Sequence, residues 1–149
     1  VGAPMPHVFA NENQVFLIFL VADSLMTPTE PVSLTYAVVE FLRPVAHRLG
    51  SPAEDEQFGH YLYGRGQEIY RAQIVENSLW LREMIDMWKK AKSEDGDSDQ
   101  KHWHQHIKHY IFWFHDSTFE CLAHGYEVRT YHDTIDAVVE KIIKRFLGG

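Results

Sequence analysis

The sequence has little of what usually announces a function. A single cysteine, Cys121, in 149 residues leaves no intramolecular disulfide and excludes every multi-cysteine zinc motif. A lone thiol also suits a reducing, cytoplasmic compartment. No lysine or arginine precedes Arg43, so the apolar run VFLIFLVA lacks the basic flank of a secretory signal. Its 8 residues, 15–22, fall well short of the roughly 20 that a membrane-spanning helix needs, and no membrane association is expected. There is no GxGxxG, no GK[ST] and no HExxH, which removes the familiar nucleotide and zinc-protease signatures. Basic residues number 14 against 21 acidic, a net charge of −7. That balance argues against a nucleic-acid partner, which would call for a basic stripe to neutralise phosphates.

What is present is a globular composition, 45% hydrophobic and 13% aromatic, on a length that suits one domain with a substantial core. The chain is organised around residues 109–128, HYIFWFHDSTFECLAHGYEV, which read as two antiparallel strands joined by a tight turn at Asp116-Ser117. With that turn, Phe114 faces Phe119, Phe112 faces Cys121 and Tyr110 faces Ala123, because antiparallel partners share a face and side chains alternate. The opposite face carries His115 with Thr118, Trp113 with Glu120, Ile111 with Leu122, and His109 with His124. A slip of one residue would bring Glu120 onto the apolar face, so the pattern specifies which side is core.

Residues 15–22 read as a strand buried on both faces, after a polar, turn-like and loosely ordered start over residues 1–13. Leu34, Val38, Phe41, Leu42, Val45 and Leu49 fit a helical stripe. Tyr36-Ala37-Val38-Val39 and the interior Pro44 favour instead a strand, Leu34 to Leu42, that ends or bulges near the proline. Residues 50–68 form a long connection with four glycines, its first part solvated and its second, GHYLYGRG, too aromatic not to pack on something. Residues 69–77 alternate as a strand. A helix follows, capped by Asn77 or Ser78, with Leu81, Met84, Ile85 and Trp88 at core spacing and an end near Lys92. The acidic stretch 93–100 reads as a mobile loop. Asp133 caps a last helix with a stripe of Ile135, Val138, Val139, Ile142, Ile143 and Phe146. The expected fold is α+β, a mostly antiparallel sheet of about five strands with two helices packed on it.

No complete catalytic constellation stands out. Of the ten histidines, the run at 102, 104 and 106 resembles a metal tract, but a solvated segment explains it as well. His109 and His115 lie six residues apart on one strand, roughly 20 Å at strand rise, so they cannot share an ion. No metal and no cofactor are expected. Cys121 points to the apolar face and His115 to the other, which leaves the thiol a small hydrophobe rather than a nucleophile. His115-Asp116-Ser117 holds triad residue types, yet neighbours in sequence do not make triad geometry, and Asp and Ser suit a turn. Glu120 beside Trp113 could act as an acid with a raised pKa or pair with a cation. The ligand-contact candidates are His60, Tyr61, Tyr63 and Arg65 on the loop, where Arg with glycine-exposed backbone suits an anion, together with His109, Glu120 and His124 on the half-covered sheet face.

The phrases AVVEF at 37–41, GHYLYGRG at 59–66, VENSLW at 75–80 and the HDSTFEC-type strand-turn-strand resemble a small family of uncharacterised bacterial domains. The resemblance spans about residues 36–128 and implies a bacterial, cytoplasmic origin and strand at 37–41. It carries no activity, cofactor or site residue. Two functional readings follow. One is a non-catalytic domain that binds a small molecule or a protein. The other is a small enzyme acting on an anionic small molecule, with a His/Arg/Glu site between the 59–66 loop and the central hairpin. A concave pocket holding His60, Arg65 and Glu120 together would favour the enzyme; a flat apolar surface would favour the interaction domain.

Overall fold

The computed structural model describes residues 5–21, 34–68, 71–95 and 103–148, with backbone alone for 93–95 and 103. Its eight strands are β1 (His7–Ala10), β2 (Val15–Leu20), β3 (Leu34–Leu42), β4 (Ala46–Gly50), β5 (Ala72–Val75), β6 (Lys108–Trp113), β7 (Thr118–Ala123) and β8 (Gly125–Asp133). The helices are α1 (Leu79–Asp95) and α2 (Ile135–Gly148), with 3₁₀ turns at Glu54–Gly59 and Trp103–His106. The α+β class and antiparallel pairing hold. The strands form two four-stranded sheets, however, in the orders β1-β2-β3-β8 and β4-β7-β6-β5, where about five strands in one sheet were expected.

The two sheets are joined by a single bent ribbon. β3 pairs with β8 from Leu34↔Asp133 to Leu42↔Gly125. The same two chain segments pair again, as β4 with β7, from Ala46↔Leu122 to Gly50↔Thr118. Between these ladders three residues, Arg43 to Val45, stand opposite two, Ala123 and His124, which is the count of a β-bulge. Arg43 takes the left-handed φ of 48°, and Pro44 follows it, unable to donate to a ladder. The corner is stitched by His124 N–H to Leu42 O at 2.9 Å and Val45 N–H to Leu122 O at 2.8 Å. The bulge suspected near Pro44 is thus the turning point of the fold, and the strand beyond it, β4, was not foreseen.

Folding one ribbon over itself sets the two sheets face to face. Val15, Leu17, Val39 and Phe41 meet Tyr110, Phe112, Phe114, Phe119, Cys121 and Ala123 in the space between. Phe41 sits among Tyr110, Phe112 and Phe119 with ring centroids 5.5–6.0 Å apart. The outer face of β2 and β3, with Phe16, Ile18, Leu20, Tyr36 and Val38, is closed by Val138 and Ile142 of α2. VFLIFL is apolar throughout because both of its faces are covered, and each such side chain taken out of water contributes about 1.5–3 kcal/mol.

Several boundaries differ from the sequence reading. His7–Ala10 pairs with β2, where a loosely ordered start was expected; residues 1–4 lie outside the described part. α1 runs on through residues 93–95, so part of the acidic stretch is helix, and 96–100 lie outside the described residues. Thr134 rather than Asp133 heads α2, its Oγ1 accepting the Ala137 N–H at 3.4 Å, while Asp133 closes β8 and holds Lys141 at 3.0 Å. Ile74 lies on the apolar-face side, opposite Tyr110, but stays 51% exposed at the sheet edge.

Cys121 is fully buried in the inter-sheet core, and burial pushes its thiol up to about 12. Cys121→Ala should therefore lower stability by about 1–2 kcal/mol through the small cavity it leaves, measured by chemical denaturation. The native thiol should resist a disulfide-exchange reagent at neutral pH; rapid labelling would contradict this placement.

Candidate functional site

β4 and β5 occupy opposite edges of the second sheet, so the chain between them must cross that sheet's outer face. This is why the connection, described over residues 51–68, is long and aromatic. It is pinned near the hairpin tip by Thr118 Oγ1–H to Pro52 O at 2.7 Å and Glu54 N–H to His115 O at 2.8 Å. Further on, the His60 and Trp113 rings meet in a T at 4.8 Å, and Tyr61 donates to Glu120 Oε1 at 3.4 Å. Gly64 and Gly66 take φ values of 74° and 91°, so these two glycines serve the backbone turns. Gln73 of β5 then clamps the loop, accepting from Glu68 N–H and donating to Gly66 O, both at 2.9 Å.

The face beneath holds a buried polar chain, and the hairpin register creates it. Phe114 N–H bonds Ser117 O at 2.9 Å, which makes His115-Asp116 the turn, and the ladder runs Trp113↔Thr118, Phe112↔Phe119, Ile111↔Glu120, His109↔Leu122. The expected pairing is displaced by two residues. Each side chain keeps its face, but His109 now faces Leu122 rather than His124 and becomes a diagonal neighbour of Glu120. His109 Nε2 lies 2.8 Å from Glu120 Oε1, and His109 Nδ1 lies 2.6 Å from Ser78 Oγ. Glu120 Oε2 accepts from Arg48 Nε at 2.5 Å, and the Arg48 guanidinium lies over the Trp80 ring at 4.3 Å. Trp80 in turn meets the His109 ring edge-on at 5.3 Å. His109, Glu120 and Ser78 are 0%, 4% and 6% exposed.

The carboxylate directs the protons. Burial alone would raise the Glu120 pKa, but hydrogen bonds from His109 and Arg48, with the charge of Arg48, hold it at about 2. An ionised Glu120 only accepts, so His109 donates from Nε2–H. In the neutral imidazole Nδ1 is then an acceptor for the Ser78 hydroxyl, while Ser78 Oγ accepts the Leu81 N–H at 3.0 Å as the cap of α1. Burial, then the nearby carboxylate, pushes Tyr61 up to about 12. Burial, opposed by the pull of Glu120, lowers His60 below the ordinary histidine range, with the charge of Arg48 acting in the same direction as burial.

Four of the expected site residues, His60, Tyr61, His109 and Glu120, thus come together. Arg65 lines an adjacent cleft. Tyr63 is 58% exposed and lines neither cleft described below. His124 belongs to the ribbon corner, donating from Nδ1 to Arg43 O at 3.2 Å. The hairpin face is sealed, not half-covered: Ile111, Trp113 and Leu122 are at most 2% exposed. The groove expected over His109, Glu120 and His124 is therefore absent, and the clefts of this region lie beside that face, next to β5. Ser78 entered the sequence reading only as a helix cap, and Arg48 and Trp80 were missed. Arg48 was hidden by an unrecognised strand, because residues 46–50, AHRLG, show no alternation of apolar and polar side chains.

Two clefts flank Ser78. The first, about 360 Å³, lies between residues 61–67, β5 and the head of α1, with Tyr61, Arg65, Gln67, Glu76, Ser78 and Trp113 among its lining. The Trp113 indole Nε1–H is buried without a partner among the described residues. The second, about 470 Å³, lies between α1 and the start of β6 and carries Arg82, Lys89, His104 and Lys108. Among the described residues no three His, Cys, Asp or Glu side chains gather as a metal site; of the 102–106 tract, His102 lies outside them. Nor, among them, is any helix long and apolar enough to cross a membrane.

These features define an α+β domain of two facing antiparallel sheets with a polar network buried under a crossing loop. No family model, curated protein or solved structure matches the chain.

The folded-state pKa of Glu120, about 2 against an ordinary 4.5, means that its pairing stabilises the fold fully above pH 4.5 and that this stability is lost as pH falls toward 2. Wild-type protein should exceed Glu120→Gln by about 3 kcal/mol near pH 6, and the gap should close over that window. Denaturation curves at stepped pH check this; a gap independent of pH would mean that the Glu120 charge is not what the network uses.

Proposed function

We propose that the protein is a binding domain for a small organic anion, with the first cleft as its site. The observation that carries this reading is the lining itself. Ile74, Leu79, Ile111 and Trp113 supply apolar wall beside Arg65, Gln67, Glu76 and Asn77, the mixture by which concave ligand sites gain affinity from apolar contact and orientation from a few polar groups. Arg65 is the cationic contact for the anion, and the unpartnered Trp113 N–H is a donor a ligand can satisfy. Clamping of the loop by Gln73 supports a site formed before the ligand arrives. A cytoplasmic, bacterial setting fits the single buried thiol and the resemblance above.

Benzoate, an apolar ring with one carboxylate, is a suitable probe. Titrated into labelled protein, it should shift the amide resonances of Gly66, Asn77 and Ser78 and the Trp113 indole N–H. Arg65→Glu should weaken the binding at least tenfold, about 1.4 kcal/mol. Shifts confined to Arg82, Lys89 and Lys108 would place the anion in the second cleft and overturn the assignment.

A further inference from the structure

From the geometry around Ser78 we infer a hydrolytic activity: Ser78, His109 and Glu120 form a serine-nucleophile triad that cleaves small carboxylic esters bound in the first cleft. The inference rests on the proposed binding site and adds chemistry to it.

The serine is presented by a strand, a tight turn and a helix. β5 ends at Val75, Glu76 and Asn77 turn the chain with Asn77 at the left-handed φ of 52°, and Ser78 heads the 17-residue α1. Strand-turn-helix corners of this kind place a nucleophile at the head of a helix, and here the serine is 6% exposed, in the lining of the first cleft. The hydroxyl lies 2.6 Å from Nδ1 of His109, whose Nε2 lies 2.8 Å from Glu120. These are the two contacts that define a nucleophile, its base and the base's orienting carboxylate. The ring nitrogens have exchanged the roles they take in the trypsin-like arrangement, but a neutral imidazole offers one donor and one acceptor either way.

Capping α1 explains only one of the bonds made by Ser78, the acceptance of Leu81 N–H. The second bond, to a fully buried histidine that is itself held by a buried carboxylate, goes beyond what a cap requires. Replacing a buried ionic cluster by apolar side chains of similar volume is often neutral or stabilising. Ser78 lines the first cleft and, together with His109, the second, and a cluster of this kind against a cleft is a mark of chemistry. The cleft also supplies Leu79 in its wall. The N–H groups of Leu79 and Trp80 belong to the first turn of α1, where no intrahelical partner exists, and they are the donors assigned to a developing oxyanion.

In the acylation step Ser78 Oγ attacks the ester carbonyl carbon while its proton passes to His109 Nδ1. The tetrahedral intermediate collapses with cleavage of the carbonyl carbon–alkoxy oxygen bond, and the Nδ1 proton goes to the departing alkoxide. Water then attacks the acyl-serine, giving one proton to Nδ1. That proton returns to Ser78 Oγ as the carboxylic acid leaves. Ester and water become acid and alcohol, and Glu120 remains ionised throughout, accepting from Nε2–H as a positioning residue.

The test is reaction of the whole folded chain with an alkyl fluorophosphonate, which phosphonylates an activated serine and releases fluoride. Intact mass should rise by one adduct, and peptide mapping should place it on Ser78. Ser78→Asn, which keeps a capping side chain but removes the nucleophile, should abolish the adduct. At equal folded fraction, judged by circular dichroism, Glu120→Gln should slow labelling at least a hundredfold, whereas Glu120→Asp, which retains the carboxylate, should recover part of the rate. Wild-type protein that stays unlabelled while benzoate still shifts the cleft resonances would overturn the triad and leave the binding site standing. Labelling of Ser78 without benzoate binding would support the triad and refute the organic-anion site. Failure of both would end both readings, and an adduct on another serine would also overturn the triad.

Discussion

The bend at Arg43–Val45 is the constraint on which the rest of the structure depends. One extra residue on one side of a long antiparallel ribbon turns the ladder from one sheet into the other, because a bulge sharpens both bend and twist. The geometry that follows is largely forced. Folding the ribbon on itself brings the apolar faces of β2–β3 and β6–β7 together. It also leaves β4 at one edge of its sheet, with β5 at the other, so that the chain between them, described over residues 51–68, crosses that sheet's outer face. The lid over the buried network is a consequence of topology as much as of its own sequence.

Under that lid, Glu120 organises the polar groups. It is the shared acceptor for His109, Arg48 and Tyr61, which come from three different segments of the chain. A buried carboxylate stays ionised only when its lone pairs are met by donors of sufficient strength, and these three meet them. The cost of the arrangement is its sensitivity: loss of one partner strands charge in the interior. The gain is directional, since an ionised Glu120 orients the imidazole and thereby leaves Nδ1 facing the Ser78 hydroxyl.

Side-chain period made the apolar face of the hairpin legible. Tyr110, Phe112, Phe114, Phe119, Cys121 and Ala123 do lie together, and the double-faced strand at VFLIFL, the strand Leu34–Leu42 and the stripe of α2 could be read the same way, while capping chemistry narrowed the head of α1 to Asn77 or Ser78. A period of two, however, cannot detect a slip of two. Asp116-Ser117 and His115-Asp116 are both reasonable turns, and they differ by two residues in pairing. The contacts Glu54 N–H to His115 O and Thr118 to Pro52 O come from a segment some sixty residues earlier in the chain, and local turn preference carries no record of them. That slip separates a His109–His124 pair, which does not exist, from the His109–Glu120 contact, which does.

The sequence by itself determined which faces are apolar and, to within a residue, where the main helices begin; it grouped His60, Tyr61, His109 and Glu120 with Tyr63, Arg65 and His124 and could not tell the first four from the last three. These are local properties, set by alternation, capping chemistry and the need of an aromatic loop to pack. Tertiary structure alone decided that there are two sheets, that Arg48 reaches Glu120, and that a serine capping a helix stands beside a buried histidine. Those contacts join residues 31 and 72 positions apart, and they depend on how a bulge aims one ladder against another, an orientation that neither hydrophobic period nor residue propensity records.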